Sequence, residues 1–148
     1  MLERILVPLD GSHQAEAILF ELAGELRREE SEVILFRSVY LPLSYDPEDE
    51  KASISWERTK ARRYLQKVSQ RFALQGAKVR ARVSEGPPAK AILTAAGEEG
   101  ATVIAMASHG RKGFARWVLG SVSEEVVRFS EIPVLLTRCG RRTTTPPP

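Results

Sequence analysis

The stretch Ala101-Thr102-Val103-Ile104-Ala105-Met106-Ala107-Ser108-His109-Gly110, followed by Gly120-Ser121-Val122-Ser123-Glu124, decides both the fold and the place of function. The apolar run from Ala101 to Met106 reads as a buried strand whose carboxyl end meets the first glycine. Ser121 to Glu124 has the spacing of a capping box that opens a helix. Free N–H groups at such a helix start, together with the positive end of its dipole, stabilise an anion, and glycine lets that anion approach the main chain. The stretch is therefore read as a phosphate cradle. Taken alone it is equally a tight turn, and Ser121 is equally an N-cap that meets no ligand. It is not a Walker A loop, because Lys112 lies between the glycines instead of directly after the second.

Outward from this point, strand-like and helix-like segments alternate, the signature of a parallel sheet wrapped by helices. Towards the amino end, Ile5-Leu6-Val7-Pro8-Leu9 is a strand closing on Asp10-Gly11-Ser12. Ala15, Ile18, Leu19, Leu22 and Leu26 then recur at helical spacing, so a first helix is expected from about Ser12 to about Glu30, with Arg27 and Arg28 suiting its last turn. Val33-Ile34-Leu35-Phe36 is apolar on both faces and continues to Tyr40, as a central strand does. Residues 41–51 carry two prolines and four acids with no periodicity and read as a surface loop. A second helix follows, with Ala61, Tyr64, Leu65, Val68 and Phe72 on one stripe and Gly76 as its stop.

Val79, Ala81 and Val83 alternate with Lys78, Arg80 and Arg82, which fits an edge strand with one wet face. Gly86-Pro87-Pro88 opens a third helix bearing Ala89, Ile92, Leu93 and Ala96, with Gly97 and Gly100 as its end. A fourth helix is expected over about Ser121 to Ser130, and a last strand over Pro133 to Thr137. Five strands in this order, joined by right-handed crossovers, imply a flavodoxin-like or Rossmann-like α/β fold: a five-stranded parallel sheet of order 3-2-1-4-5 with helices on both faces. Ligands of such sheets bind beyond the strand carboxyl ends where the chain order reverses, here between strands one and four. Asp10-Gly11 and the 107 to 123 stretch both arrive there.

Composition narrows the partners. The chain has 148 residues, 43% hydrophobic, which suits one domain with one core, expected over 1–140 with 141–148 as a disordered proline-ended tail. Its net charge of +3 arises from 22 basic and 19 acidic residues scattered along the chain, so no basic stripe points to nucleic acid. The single cysteine, Cys139, has no internal partner and no zinc-like spacing, which suits a reducing compartment. The first apolar run is far short of the roughly 20 residues of a membrane helix, so the expectation is a cytoplasmic protein with no membrane contact.

Asp10 is placed to accept hydrogen bonds from ribose hydroxyls or to help hold a divalent cation; it is also ordinary turn chemistry. Pro8, Val39 and Met106 end strands one, two and four and can wall a planar base, or simply belong to the core. His109 has no visible catalytic partner and reads as loop packing. Arg111, Lys112 and Arg116 form a local basic cluster that either closes over phosphate or stays solvated.

Through about Arg138 these residues resemble the universal stress protein family, in its adenine-nucleotide-binding branch with the motif Gly-x2-Gly-x9-Gly-Ser/Thr. The carriers are Ser108-His109-Gly110, Gly120-Ser121-Val122-Ser123, the amino-terminal Ile5 to Ser12 run, and Ile132-Pro133-Val134-Leu135-Leu136. Ala107 departs from the motif's first glycine, adding a methyl group that matters if the backbone there needs a conformation only glycine favours. The resemblance implies ATP or another adenine nucleotide in the crevice. Asp10 would meet the ribose, Pro8, Val39 and Met106 would flank adenine, and Gly110, Gly120, Ser121 and Ser123 would hold phosphates, with Mg or Mn on them. Leu9, Ala107, His109 and Val122 complete the expected binding set. The resemblance also implies a homodimer through the last strand, and Val134-Leu135-Leu136, apolar on both faces at a sheet edge, gives an independent reason to cover it.

The leading expectation is thus an ATP-binding stress-response switch whose ligand orders segments 41–52 and 111–119. The competing ones are a slow ATP hydrolase or phosphoryl transferase in the same crevice, a nucleotide-free dimeric interaction module, and a cyclic AMP binder.

Overall fold

Five strands lie side by side and parallel in the computed structural model, which describes residues 2–26, 30–41, 47–71, 77–108 and 120–138. They are β1 (Arg4–Pro8), β2 (Glu32–Val39), β3 (Lys78–Glu85), β4 (Val103–Ser108) and β5 (Val134–Arg138), and the helices are α1 (His13–Glu25), α2 (Pro47–Arg71), α3 (Pro88–Glu99) and α4 (Ser121–Phe129). The sheet order is β3-β2-β1-β4-β5, as the sequence implies. β1 pairs with β2 from Arg4↔Glu32 to Pro8↔Phe36 and with β4 at Ile5↔Val103 and Leu6↔Ile104, so the carboxyl ends of the three central strands come out together.

Because side chains alternate along a strand, the central strands carry two apolar faces. Ile5, Val7, Val33, Leu35, Val103 and Ala105 pack with Ile18, Leu19 and Leu22 of α1 and Leu65 and Val68 of α2. On the other face Leu6, Ile34, Phe36, Ile104 and Met106 pack with Ile92, Ala95 and Ala96 of α3 and Val126 of α4. Each fully buried leucine or isoleucine here contributes about 1.5–3 kcal/mol through burial, which is why the apolar runs, not the loops, set the architecture.

Several boundaries differ from the sequence reading. α1 stops at Glu25 and Leu26 is extended, because Glu32 N–H must donate to the Glu3 carbonyl at 2.7 Å and Ser31 Oγ to the Leu2 carbonyl at 2.7 Å to start β2 beside β1. α2 starts at Pro47, inside the segment read as loop. Proline at a helix start and acids in its first turn favour that end, so Pro47-Glu48-Asp49-Glu50 is a start signal. Gly97 lies within α3, and only Gly100, at φ 62°, ends it; Ala101 N–H then caps the Ala96 carbonyl at 2.9 Å, so β4 starts at Val103 and runs on through Ala107 and Ser108. Ser121 is the first helical residue of α4, not its cap; Gly120 is the cap and has no side chain to bond to the helix start. Arg27, Arg28, Phe72, Gly76 and the tail 141–148 lie outside the described residues.

β3 is an edge strand, and Val79 and Val83 pack on the α1/α2 side. Ala81 stays exposed. The face expected to be wet is partly exposed and carries an ionic layer. Arg80 donates to Glu32 at 2.6 Å and to Glu99, Arg82 donates to Glu99 at 2.9 Å and to Glu98, and Arg4 donates to Glu32 at 2.9 Å and to the Glu99 carbonyl at 2.9 Å. The two arginines hold the Glu99 carboxyl down at about 2. This layer ties the start of β1, β2 and β3 to the end of α3, at the opposite end of the sheet from the crevice.

Candidate functional site

At the carboxyl ends of β1, β2 and β4 a cavity of about 300 Å³ opens towards the starts of α3 and α4. β1 and its turn supply Pro8, Leu9 and Asp10, β4 supplies Met106 and Ala107, and the start of α4 supplies Gly120, Ser121, Val122 and Ser123. Phe36, Arg37 and Ser38 of β2, Ala15 of α1, and Pro88 and Ile92 of α3 complete the wall. A cavity of about 360 Å³ lies at the strand starts beside Arg4, Glu32 and Lys78, and one of about 510 Å³ lies between α3 and α4, so size does not select the site. What distinguishes the smaller one is an apolar wall with a few convergent polar groups at the topological switch point.

The β1 end is organised by a chain of local bonds. Asp10 Oδ1 accepts from Ser12 N–H at 2.9 Å and from Ser12 Oγ at 2.6 Å, and Ser12 Oγ accepts from Ala15 N–H at 3.1 Å, so the Asp10 carboxylate is oriented by the cap of α1. Gly11 between them sits at φ 91°, where a side chain is strained. Leu9 is held by its N–H donating to the Phe36 carbonyl at 2.8 Å.

At the α4 end Gly120 has φ −62° and ψ 159°, a conformation open to any residue, and a Cβ added there meets no described atom within 4 Å. Nothing among the described residues requires glycine at this position, and Gly120 lines the cavity. Gly120 has no side chain with which to cap the helix, and the residues that carry the first N–H groups of α4 line the cavity. Ser123 is buried at 6% exposure.

Ala107 pairs with Thr137 inside β4 and is buried in the α1-side core, and no described residue other than glycine has a positive φ. Its backbone therefore has no need of glycine. Val39 is buried at 5% exposure and is not in the cavity wall; Ser38 and Arg37 stand there instead. His109, Gly110, Arg111, Lys112, Arg116 and Cys139 lie outside the described residues. The sequence reading did not select Phe36, Arg37, Ser38, Pro88 or Ile92. The only signal for them is their position at the carboxyl end of β2 and the start of α3.

Behind Arg37 lies a polar cluster centred on the buried Glu16. The Arg37 guanidinium sits over the Tyr64 ring, 5.1 Å from its centre, and Tyr64 OH donates to Glu16 at 2.8 Å. Glu16, 3% exposed on α1, also accepts from Arg71 at 3.3 Å and meets His13 Nδ1 at 3.3 Å. Burial first, then the bond to Glu16, pushes the Tyr64 hydroxyl pKa up, so it remains a donor. Among the described residues no three His, Cys, Asp or Glu side chains gather as a metal site, and no helix is long and apolar enough to cross a membrane.

The family model described as "Universal stress protein family" matches residues 1–138, and the chain belongs to that family. The universal stress protein YxiE of Bacillus subtilis is 30% identical over 93% of this chain and 100% of its own length. The solved structure of MJ0577, a universal stress protein of Methanocaldococcus jannaschii, has a TM-score of 0.79 at 28% identity, covering 97% of this chain and 99% of that one. Two further solved universal stress proteins share the fold at lower identity. One, from Archaeoglobus fulgidus in complex with dAMP, has a TM-score of 0.62 at 22% identity, covering 92% of this chain and 98% of its own. The other, in complex with cAMP, has a TM-score of 0.65 at 20% identity, covering 94% and 98%.

Proposed function

We propose that this chain binds an adenine nucleotide, ATP foremost, in the crevice beyond β1, β2 and β4, and acts as a ligand-controlled switch in a cytoplasmic dimer. The observation that carries this reading is the open α4 start at Gly120 on one side of an apolar cavity, with the oriented Asp10 carboxylate on the other. A volume of about 300 Å³ is at the small end for ligand sites, enough for a nucleoside among Pro8, Ile92 and Met106, with its phosphates extending over Gly120 and Ser121. That family members hold dAMP and cAMP is consistent with it.

In this reading Asp10 accepts from the ribose hydroxyls, and the α4 N–H groups with Ser121 and Ser123 hold phosphate oxygens. A magnesium or manganese ion would be carried by the phosphates, with Asp10 as the carboxylate of the crevice wall. Dimerisation is proposed through β5, an edge strand whose Leu135 is 40% exposed. Calorimetric titration with ATP tests the ligand: saturable binding is expected, and no saturation at millimolar nucleotide, for ATP, ADP, AMP and cyclic AMP alike, defeats the proposal.

A further inference from the structure

We infer that Arg37 is a second phosphate-recognition point of the crevice, separate from the glycine-flanked start of α4. The inference rests on the nucleotide reading of this cavity and names a residue outside the family motif.

Arg37 is half-buried, lines the cavity, and comes from β2, two strands away from β4. Its guanidinium is fixed from two sides. Tyr64 lies beneath it, and the Gly11 turn lies beside it, so close that a Cβ on Gly11 would come within 3.1 Å of Arg37 Nη1. Glycine at this turn therefore serves both the φ of 91° and the seat of the guanidinium. Tyr64 is in turn held by Glu16.

Among the described residues no carboxylate pairs with Arg37, although Arg4, Arg58, Arg71, Arg80, Arg82 and Arg128 all have one. A guanidinium is always charged and presents planar donors that match phosphate oxygens. Held on an aromatic face and paired with no described carboxylate, it loses little freedom on meeting an anion. The anion is a phosphate group, reached either along the 5′ chain or on the ribose 2′ position beside Asp10.

The test measures binding of adenosine, AMP, ATP, adenosine 2′,5′-bisphosphate and inorganic tripolyphosphate to the full chain and to Arg37→Gln and Arg37→Lys, with circular dichroism to confirm folding. Arg37→Gln is expected to weaken at least one phosphate-bearing ligand by about ten- to hundredfold, to leave adenosine within about twofold, and to be partly rescued by lysine. Loss on AMP or ATP assigns the 5′ chain, and loss confined to the bisphosphate assigns the ribose phosphate. If nucleotides fail to bind while tripolyphosphate binds in an Arg37-dependent way, the nucleotide reading falls and the Arg37 assignment stands. Equal changes for adenosine and its phosphates, no change in folded Arg37→Gln, or no saturable phosphate binding by any ligand overturns the assignment.

Discussion

Replacing Glu99 by glutamine removes the charge at the centre of the ionic layer while keeping its shape. Glu99 accepts from Arg80 and from Arg82 with only 15% of its side chain exposed, and the Arg80 hydrogen bond is the largest cause of its lowered pKa of about 2. A fall from 4.5 to about 2 sets a ceiling of roughly 3 kcal/mol. Arg80 is 44% exposed, so solvent screening reduces the figure, and about 1–2 kcal/mol is expected at pH 7. The sign follows from the direction of the shift. A carboxyl depressed in the folded state stabilises above its unfolded pKa and loses that contribution as pH falls towards the folded value. Urea denaturation of Glu99→Gln and wild type should therefore differ at pH 7 and converge between about pH 4.5 and 2. An unchanged midpoint at pH 7, or a difference that persists undiminished at pH 2.5 to 3, refutes the reasoning.

Tyr64→Phe removes a donor to the buried Glu16 and should cost about 1–3 kcal/mol, read as a lower urea midpoint with unchanged slope. Gly120→Val should leave the fold within about 1 kcal/mol of wild type, since the position is unstrained and open, yet lower nucleotide affinity at least tenfold, roughly, by filling the space beside the α4 start; thermal melts and calorimetry check the two halves. Leu135→Glu should shift the protein to monomer in sedimentation while preserving its circular dichroism spectrum.

The strand order was legible because Val33 to Phe36 is apolar on both faces while Lys78 to Val83 alternates, which separates a central strand from an edge one without tertiary information. Helix ends were less so. Periodicity carries α1 on through Leu26, but what stops it is the pairing of Glu32 beside Glu3 and Arg4, a contact remote in sequence. At Pro47 the local start signal was present and was outweighed by the acidic, proline-bearing composition around it. For the crevice, Pro8, Asp10, Met106 and Gly120 could be read from motif and strand ends. Arg37 could not, because its place depends on a ring from α2 and a turn after β1.

The most direct test of the nucleotide crevice is a crystal structure of the protein grown with ATP. Adenine is expected between Pro8 and Met106, with phosphates against Gly120 and Ser121. A crevice without the nucleotide at saturating concentration, or nucleotide bound at the Arg4–Glu32 end of the sheet, contradicts the account.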